Sequence, residues 1–210
     1  MLFFILLFSG TSAIANQQSQ YIRIAAIGTS LTRYGEWLPT LSEQMYKSYG
    51  ISISYQNYGF PGKNIKYGLS KLDNILDSKA DIYLIEFSVN DADLLKGVTL
   101  SESRELTSTF VQNIKIEYPN AKIILMKMNP VFGLRKWMRP RLESFYDLYD
   151  DLADDGNVDI LDFYSVWQQK SYKKLNLNIP DGVHPTQEST IEVMIPVLLS
   201  YLSEEFCFHK

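Results

Sequence analysis

A chain of 210 residues with 46% apolar content is long enough to bury one substantial core. Its net charge of -4 is mild, and Lys and Arg are scattered among Asp and Glu, which excludes the basic stripe of a nucleic-acid binder. A lone cysteine, Cys207, excludes an internal disulfide, and no Cys/His spacing suits a structural zinc.

The first segment, Leu2 to Phe8, is an unbroken apolar run followed by small residues and then Ala13-Ile14-Ala15, an A-x-A cleavage pattern. It is shorter than the ~20 residues of a membrane span. Residues 1–15 are therefore expected to be a signal peptide, and 16–210 a single exported domain, periplasmic or secreted, with no stable membrane insertion after the signal is removed. The same run leaves open a buried N-terminal strand or helix.

Five short apolar or alternating runs follow at regular intervals and predict strands: Ile22 to Ile27, Ile51 to Tyr58, Asp81 to Phe87, Lys122 to Met128 and Val158 to Phe163. Between them, apolar residues recur at helical spacing: Trp37, Leu38, Leu41 and Met45, then Ile65, Leu69, Leu72 and Leu76. The later sets are Leu106, Phe110 and Ile114, then Leu142, Phe145, Leu148 and Leu152, with Ile191 to Leu202 as the last helix. Alternating strand and helix imply an α/β fold, a parallel sheet with helices on both faces.

In such sheets ligands bind at the carboxyl ends of the strands, so polar blocks just after strands are where chemistry is expected. Four occur: Gly28-Thr29-Ser30, Asn57 to Asn64 with Gly62, Ser88-Val89-Asn90-Asp91, and Asp181-Gly182-Val183-His184-Pro185 before the final helix. The chain has only two histidines, and His209 is penultimate, so a histidine-based mechanism must use His184. An Asp three residues earlier can hold one ring nitrogen and leave the other to take a proton from a serine hydroxyl. Pro185 suits the first position of the following helix, and Gly28 allows a tight turn off the first strand. Gly62 N–H and the Asn90 amide are suitable donors to a developing oxyanion. Taken one by one, these residues read equally well as a helix cap, turn residues and a polar loop.

Together the four blocks resemble the SGNH hydrolases, the GDSL-like esterase and lipase superfamily, in order and spacing across almost the whole of 16–210. The resemblance implies a flavodoxin-like three-layer α/β/α sandwich of about five parallel strands and hydrolysis of a carboxylic ester through an acyl-enzyme. It implies Ser30 as nucleophile, His184 as base, Asp181 as its orienting carboxylate, and an oxyanion hole of Ser30, Gly62 and Asn90, with no metal and no organic cofactor. Two departures stand out: Thr29 replaces the Asp of Gly-Asp-Ser, and Ser88 stands where a Gly often precedes x-Asn-Asp. The pattern differs from the Gly-x-Ser-x-Gly elbow of the α/β-hydrolases, since Thr32 occupies the second glycine's place.

Substrate contacts are expected from Tyr34, from Lys63 and Asn64 beside Gly62, and from Arg135 and Trp137 in the aromatic and basic segment Met128 to Arg141. That segment reads equally as a loop entering an amphipathic helix, and Tyr34 and Trp37 equally as core. The expected substrate is a small-molecule or polysaccharide ester, foremost a carbohydrate O-acetyl group. A lipid or thioester acylhydrolase and an O-acyltransferase acting on a polysaccharide are the alternatives. Oligomeric state is left open.

Overall fold

The computed structural model describes residues 21–154, 156 and 158–207. The expected signal peptide and His209 lie outside the described residues. The chain alternates as expected: β1 (Tyr21–Gly28), α1 (Ser30–Tyr34), α2 (Trp37–Tyr49), β2 (Ser52–Gly59), α3 (Ile65–Leu69), α4 (Leu72–Leu76), β3 (Ile82–Ile85) and α5 (Ser88–Asp91). It continues through α6 (Leu100–Glu117), β4 (Lys122–Lys127), α7 (Leu134–Trp137), α8 (Leu142–Asp154), β5 (Asp159–Asp162), α9 (Phe163–Gln168), α10 (Tyr172–Asn178) and α11 (Gln187–Cys207).

All five strands pair in parallel in the order β2-β1-β3-β4-β5. This is the flavodoxin-like arrangement, in which the order reverses between β1 and β3 and opens a crevice at their carboxyl ends. Because successive side chains point to opposite faces, β1 feeds two cores at once. Ile22, Ile24 and Ala26 pack with Trp37, Leu38 and Leu41 of α2 and Val193, Ile195 and Leu198 of α11. Ala25 and Ile27 pack with Ile65, Ile75, Phe110 and Ile114 of α3, α4 and α6. Both faces of β3 are buried, which is why its sequence is continuously apolar.

The structure departs from the sequence reading in several places. β3 stops at Ile85 rather than Phe87, because Glu86 turns inward and Phe87 precedes the turn of α5, so Asn90 sits on a short helix. β5 likewise ends at Asp162, whose carboxylate accepts the Ser165 N–H and starts α9. The single helical period from Ile65 to Leu76 is two helices, since the Ser70 hydroxyl donates to the Tyr67 carbonyl and competes with the helical ladder there. The last helix begins at Gln187, with Thr186 Oγ1 accepting the Ser189 N–H at 3.2 Å, so Pro185 lies outside it.

Candidate active site

β1 delivers the chain into a turn whose amides are almost all engaged. Thr29 caps α1 by accepting the Leu31 N–H on its hydroxyl at 3.2 Å. The Thr29 and Thr32 amides donate to the buried Glu86 carboxylate, and the Arg33 amide to the Thr29 carbonyl. Ser30 is the first residue of α1, where a backbone N–H has no acceptor within the helix. Its amide has no protein partner among the described residues, and its hydroxyl lies 2.7 Å from His184 Nε2. Gly28 serves close approach rather than a tight turn, because a Cβ there would lie 2.3 Å from Glu86 Oε1.

His184 and Asp181 arrive on a loop held from several sides. The Gly182 carbonyl accepts the Phe132 N–H at 2.8 Å, the Val183 carbonyl accepts Asn129 Nδ2 at 2.8 Å, and the Asn178 carbonyl accepts the Thr186 N–H at 2.8 Å. Gly182 has a φ of 79°, and a Cβ there would meet the Phe132 carbonyl oxygen at 2.6 Å. Asp181 Oδ1 accepts the His184 and Val183 amides, while Oδ2 lies 2.6 Å from His184 Nδ1. Burial alone would raise the Asp181 carboxyl, but the hydrogen bonds from the His184 ring and the two amides outweigh it and hold it at about 2. An ionised carboxylate only accepts, so the ring proton belongs on Nδ1 and the lone pair of Nε2 faces the serine hydroxyl. The His184 and Asp181 side chains are 47% and 50% exposed, which places the pair on an open face.

The other two blocks follow β2 and β3, the strands paired on either side of β1. Lys63 N–H donates to the Phe60 carbonyl at 3.0 Å across Pro61 and Gly62, and Gly62 has the φ of 72° that a type II turn requires at its third residue. The Lys96 ammonium donates to the Gly62 carbonyl at 2.7 Å. Asn90 Nδ2 donates one hydrogen to the Lys63 carbonyl at 2.7 Å, which leaves its second hydrogen for another acceptor. Asp91 accepts the Ile65 N–H and the Ser103 hydroxyl, tying the start of α3 to α5 and α6.

The expected substrate contacts divide. Tyr34, Arg135 and Trp137 are exposed, Trp137 at 80%. Lys63 is exposed with its ammonium 4.9 Å from the Tyr67 ring centre, whereas Asn64 is engaged in capping α3 through Tyr67 N–H. Trp37 is fully buried in the core. Arg139 is also buried, paired with Asp93 at 2.7 Å and donating to the Val89 carbonyl, so it fixes the loop after α5 rather than presenting charge to solvent. The sequence reading passed over Glu86 and Lys96 and gave Asp91, though it stands in the third block, no role of its own. For Glu86 the signal was present: it is a lone acid closing an apolar strand, Ile82-Tyr83-Leu84-Ile85.

Burial raises the carboxyls of Glu86 and Asp91 to about 7 each, against the lowering pull of the amides and hydroxyls that donate to them. Between their unfolded values near 4 and about 7, the native state holds more protons than the unfolded chain. The free energy of unfolding is therefore expected to fall as pH rises through that window, by roughly 4 kcal/mol per carboxyl. Urea unfolding of wild type and Asp91→Asn across pH 4.5–8 measures it, and the slope is expected to flatten in the amide variant.

The chain belongs to the GDSL-like lipase/acylhydrolase family, whose model matches residues 13–189. It is an ester-hydrolysing enzyme. It is 25% identical over 172 residues to an arylesterase of Vibrio mimicus, covering 81% of this chain and 78% of that protein. Its fold is similar to that of a lipase/acylhydrolase from Enterococcus faecalis, with a TM-score of 0.77, 21% identity, and 88% of this chain and 96% of that one covered. It is also similar to an acetylxylan esterase from Geobacillus stearothermophilus, with a TM-score of 0.74, 19% identity, and 87% and 94% covered.

Proposed function

We propose that the protein is an exported carbohydrate O-acetyl esterase working through an acyl-enzyme on Ser30. The observation that carries the mechanism is the unbroken relay of Ser30 Oγ, His184 and Asp181, at 2.7 and 2.6 Å. As the Ser30 oxygen attacks the ester carbonyl, its proton passes to His184 Nε2 and Asp181 stabilises the imidazolium. The carbonyl oxygen, now negative, is met by the Ser30 and Gly62 amides and the second Asn90 hydrogen. Collapse expels the alcohol, which takes the proton from His184. Water then repeats the sequence on the acetyl-serine, releasing acetate and restoring Ser30.

Two features favour a sugar as the alcohol. The half-exposed His184 and Asp181 allow an ester on a bulky polymer to reach the serine. Beside their loop opens a cavity of about 410 Å³, lined by Phe132, Lys136, Glu143 and Tyr164 among others, a mixture of rings and polar groups that suits a saccharide. The acetylxylan esterase that shares the fold acts on such a substrate. Tyr34, Lys63, Arg135 and Trp137 are the proposed contacts around it, residues 1–15 the signal, and 16–210 one domain.

Hydrolysis of aryl acetate, butyrate and octanoate, with and without a sugar acceptor, tests the reading. The acetate is expected to exceed the octanoate at least tenfold in kcat/KM, with acetate released from acetylated oligosaccharides. Preference for the octanoate would point to a lipid substrate, and acyl transfer to the sugar outpacing hydrolysis would point to a transferase. Mass spectrometry of the protein from its host is expected to find Asn16 as the first residue.

A further inference from the structure

Glu86 is a carboxyl that the core holds against the serine turn. It is fully buried, with no cation beside it among the described residues, an arrangement that costs free energy unless hydrogen bonds compensate. Its Oε1 accepts the Thr29 amide at 2.6 Å, the Thr29 hydroxyl at 2.9 Å, the Thr32 hydroxyl at 2.7 Å and the Thr32 amide at 3.2 Å. Oε2 lies 3.1 Å from the Thr29 hydroxyl. Both threonines are 1% exposed, and Gly28 is excluded from bearing a side chain by Glu86 itself.

These bonds have a selective result. Thr29 and Thr32 amides go to Glu86, the Leu31 amide to the Thr29 hydroxyl, and the Arg33 amide to the Thr29 carbonyl, so of the amides from Thr29 to Arg33 that of Ser30 is the one left without a protein partner among the described residues. The same turn sets Ser30 Oγ at His184. The departure from Gly-Asp-Ser also acquires a reason. An Asp at position 29 would set a second carboxyl against the fully buried Glu86, where the pair could not ionise together without strong repulsion, whereas the threonine hydroxyl donates to Glu86.

We propose that Glu86 is the positioning residue of the nucleophile, and that it forms a matched pair with Thr29: the buried carboxyl and the hydroxyl together hold Ser30 in register with His184 and reserve its amide for the oxyanion. This rests on Ser30 being the nucleophile. Neither Glu86 nor Thr29 touches substrate, so their effect falls on turnover and on the reactivity of Ser30 rather than on binding.

The test is a double-mutant cycle of Thr29→Asp and Glu86→Gln, read as kcat and KM on an aryl acetate, as the rate of fluorophosphonate labelling, and as Tm. Thr29→Asp is expected to lower kcat and labelling at least a hundredfold with KM within about threefold. Adding Glu86→Gln, whose amide can donate to the new carboxylate, is expected to restore at least tenfold. Should Thr29→Asp not fold, Thr29→Val and Thr29→Ser carry the test: the valine is expected to fall about tenfold below the serine in kcat at comparable Tm. Wild-type kcat in Thr29→Asp overturns the pairing, as do a double variant no better than Thr29→Asp and a valine equal to the serine. Ser30→Ala runs alongside: if it still labels, the nucleophile assignment fails, whereas its loss of labelling beside a fully active Thr29→Asp overturns the positioning role alone.

Discussion

Ser30→Ala is expected to lower kcat/KM on an aryl acetate by about 10⁶-fold and to abolish fluorophosphonate labelling, while the protein unfolds at nearly the wild-type temperature. The size follows from the chemistry: without Oγ no acyl-enzyme forms, and only the residual effect of the oxyanion donors on attack by water remains, as in serine hydrolases whose nucleophile is removed. Stability is expected to be spared because Ser30 is only half-buried and the one side-chain bond it loses is to His184, itself exposed. Labelling followed by intact-mass analysis, with thermal unfolding in parallel, checks both halves. Full labelling of the alanine variant would place the nucleophile elsewhere.

Asp181→Asn is expected to reduce kcat by as much as 10⁴-fold with little change in KM. The asparagine carbonyl can still accept the Val183 and His184 amides now held by Oδ1, so the loop keeps its shape. The other end changes sign. An amide nitrogen would donate to His184 Nδ1 where the carboxylate accepts from it, which moves the ring proton to Nε2 and removes the lone pair facing Ser30. The imidazolium formed in the transition state also loses its counter-charge, an interaction absent when substrate merely binds. Because Asp181 is held at about 2, it stays ionised through the working range, and the wild-type pH profile is expected to show no limb from it above pH 4. Steady-state kinetics of both proteins from pH 5 to 9 measure the effect. Near-wild-type kcat in the asparagine variant would mean that another group orients the ring.

Part of the candidate site was legible because three of the blocks follow strands, and strands announce themselves by apolar runs that are fixed by the sheet. Ser30, Gly62 and Asn90 could therefore be set at one sheet edge from order and spacing, whereas His184, which follows the helices α9 and α10, was reached because the other histidine is penultimate. What escaped was short or inward-facing. The helices α1, α7 and α9 have too few residues to display a 3.6 period, and the break at Ser70 leaves the buried stripe unchanged, so periodicity cannot register it. Glu86 was hidden because an acid ending an apolar run reads as the strand meeting solvent. In the fold, Gly28 and the threonines of the turn close over it. The burial of Arg139 was hidden for the complementary reason: it stands in a basic segment, and its partner Asp93 comes from another segment, which spacing alone does not reveal.

The relay also depends on joining two distant parts of the chain. Ser30 and His184 are separated by 154 positions, and the turn around Ser30 is held by β1 and β3 from the first half of the chain. The base comes with the loop that docks on Phe132 and Asn129. A chain whose first three strands have formed carries a serine without a proton acceptor and is chemically inert, however complete its central core. Local release of the segment around 178–186 would return it to that silent condition without unfolding the sheet.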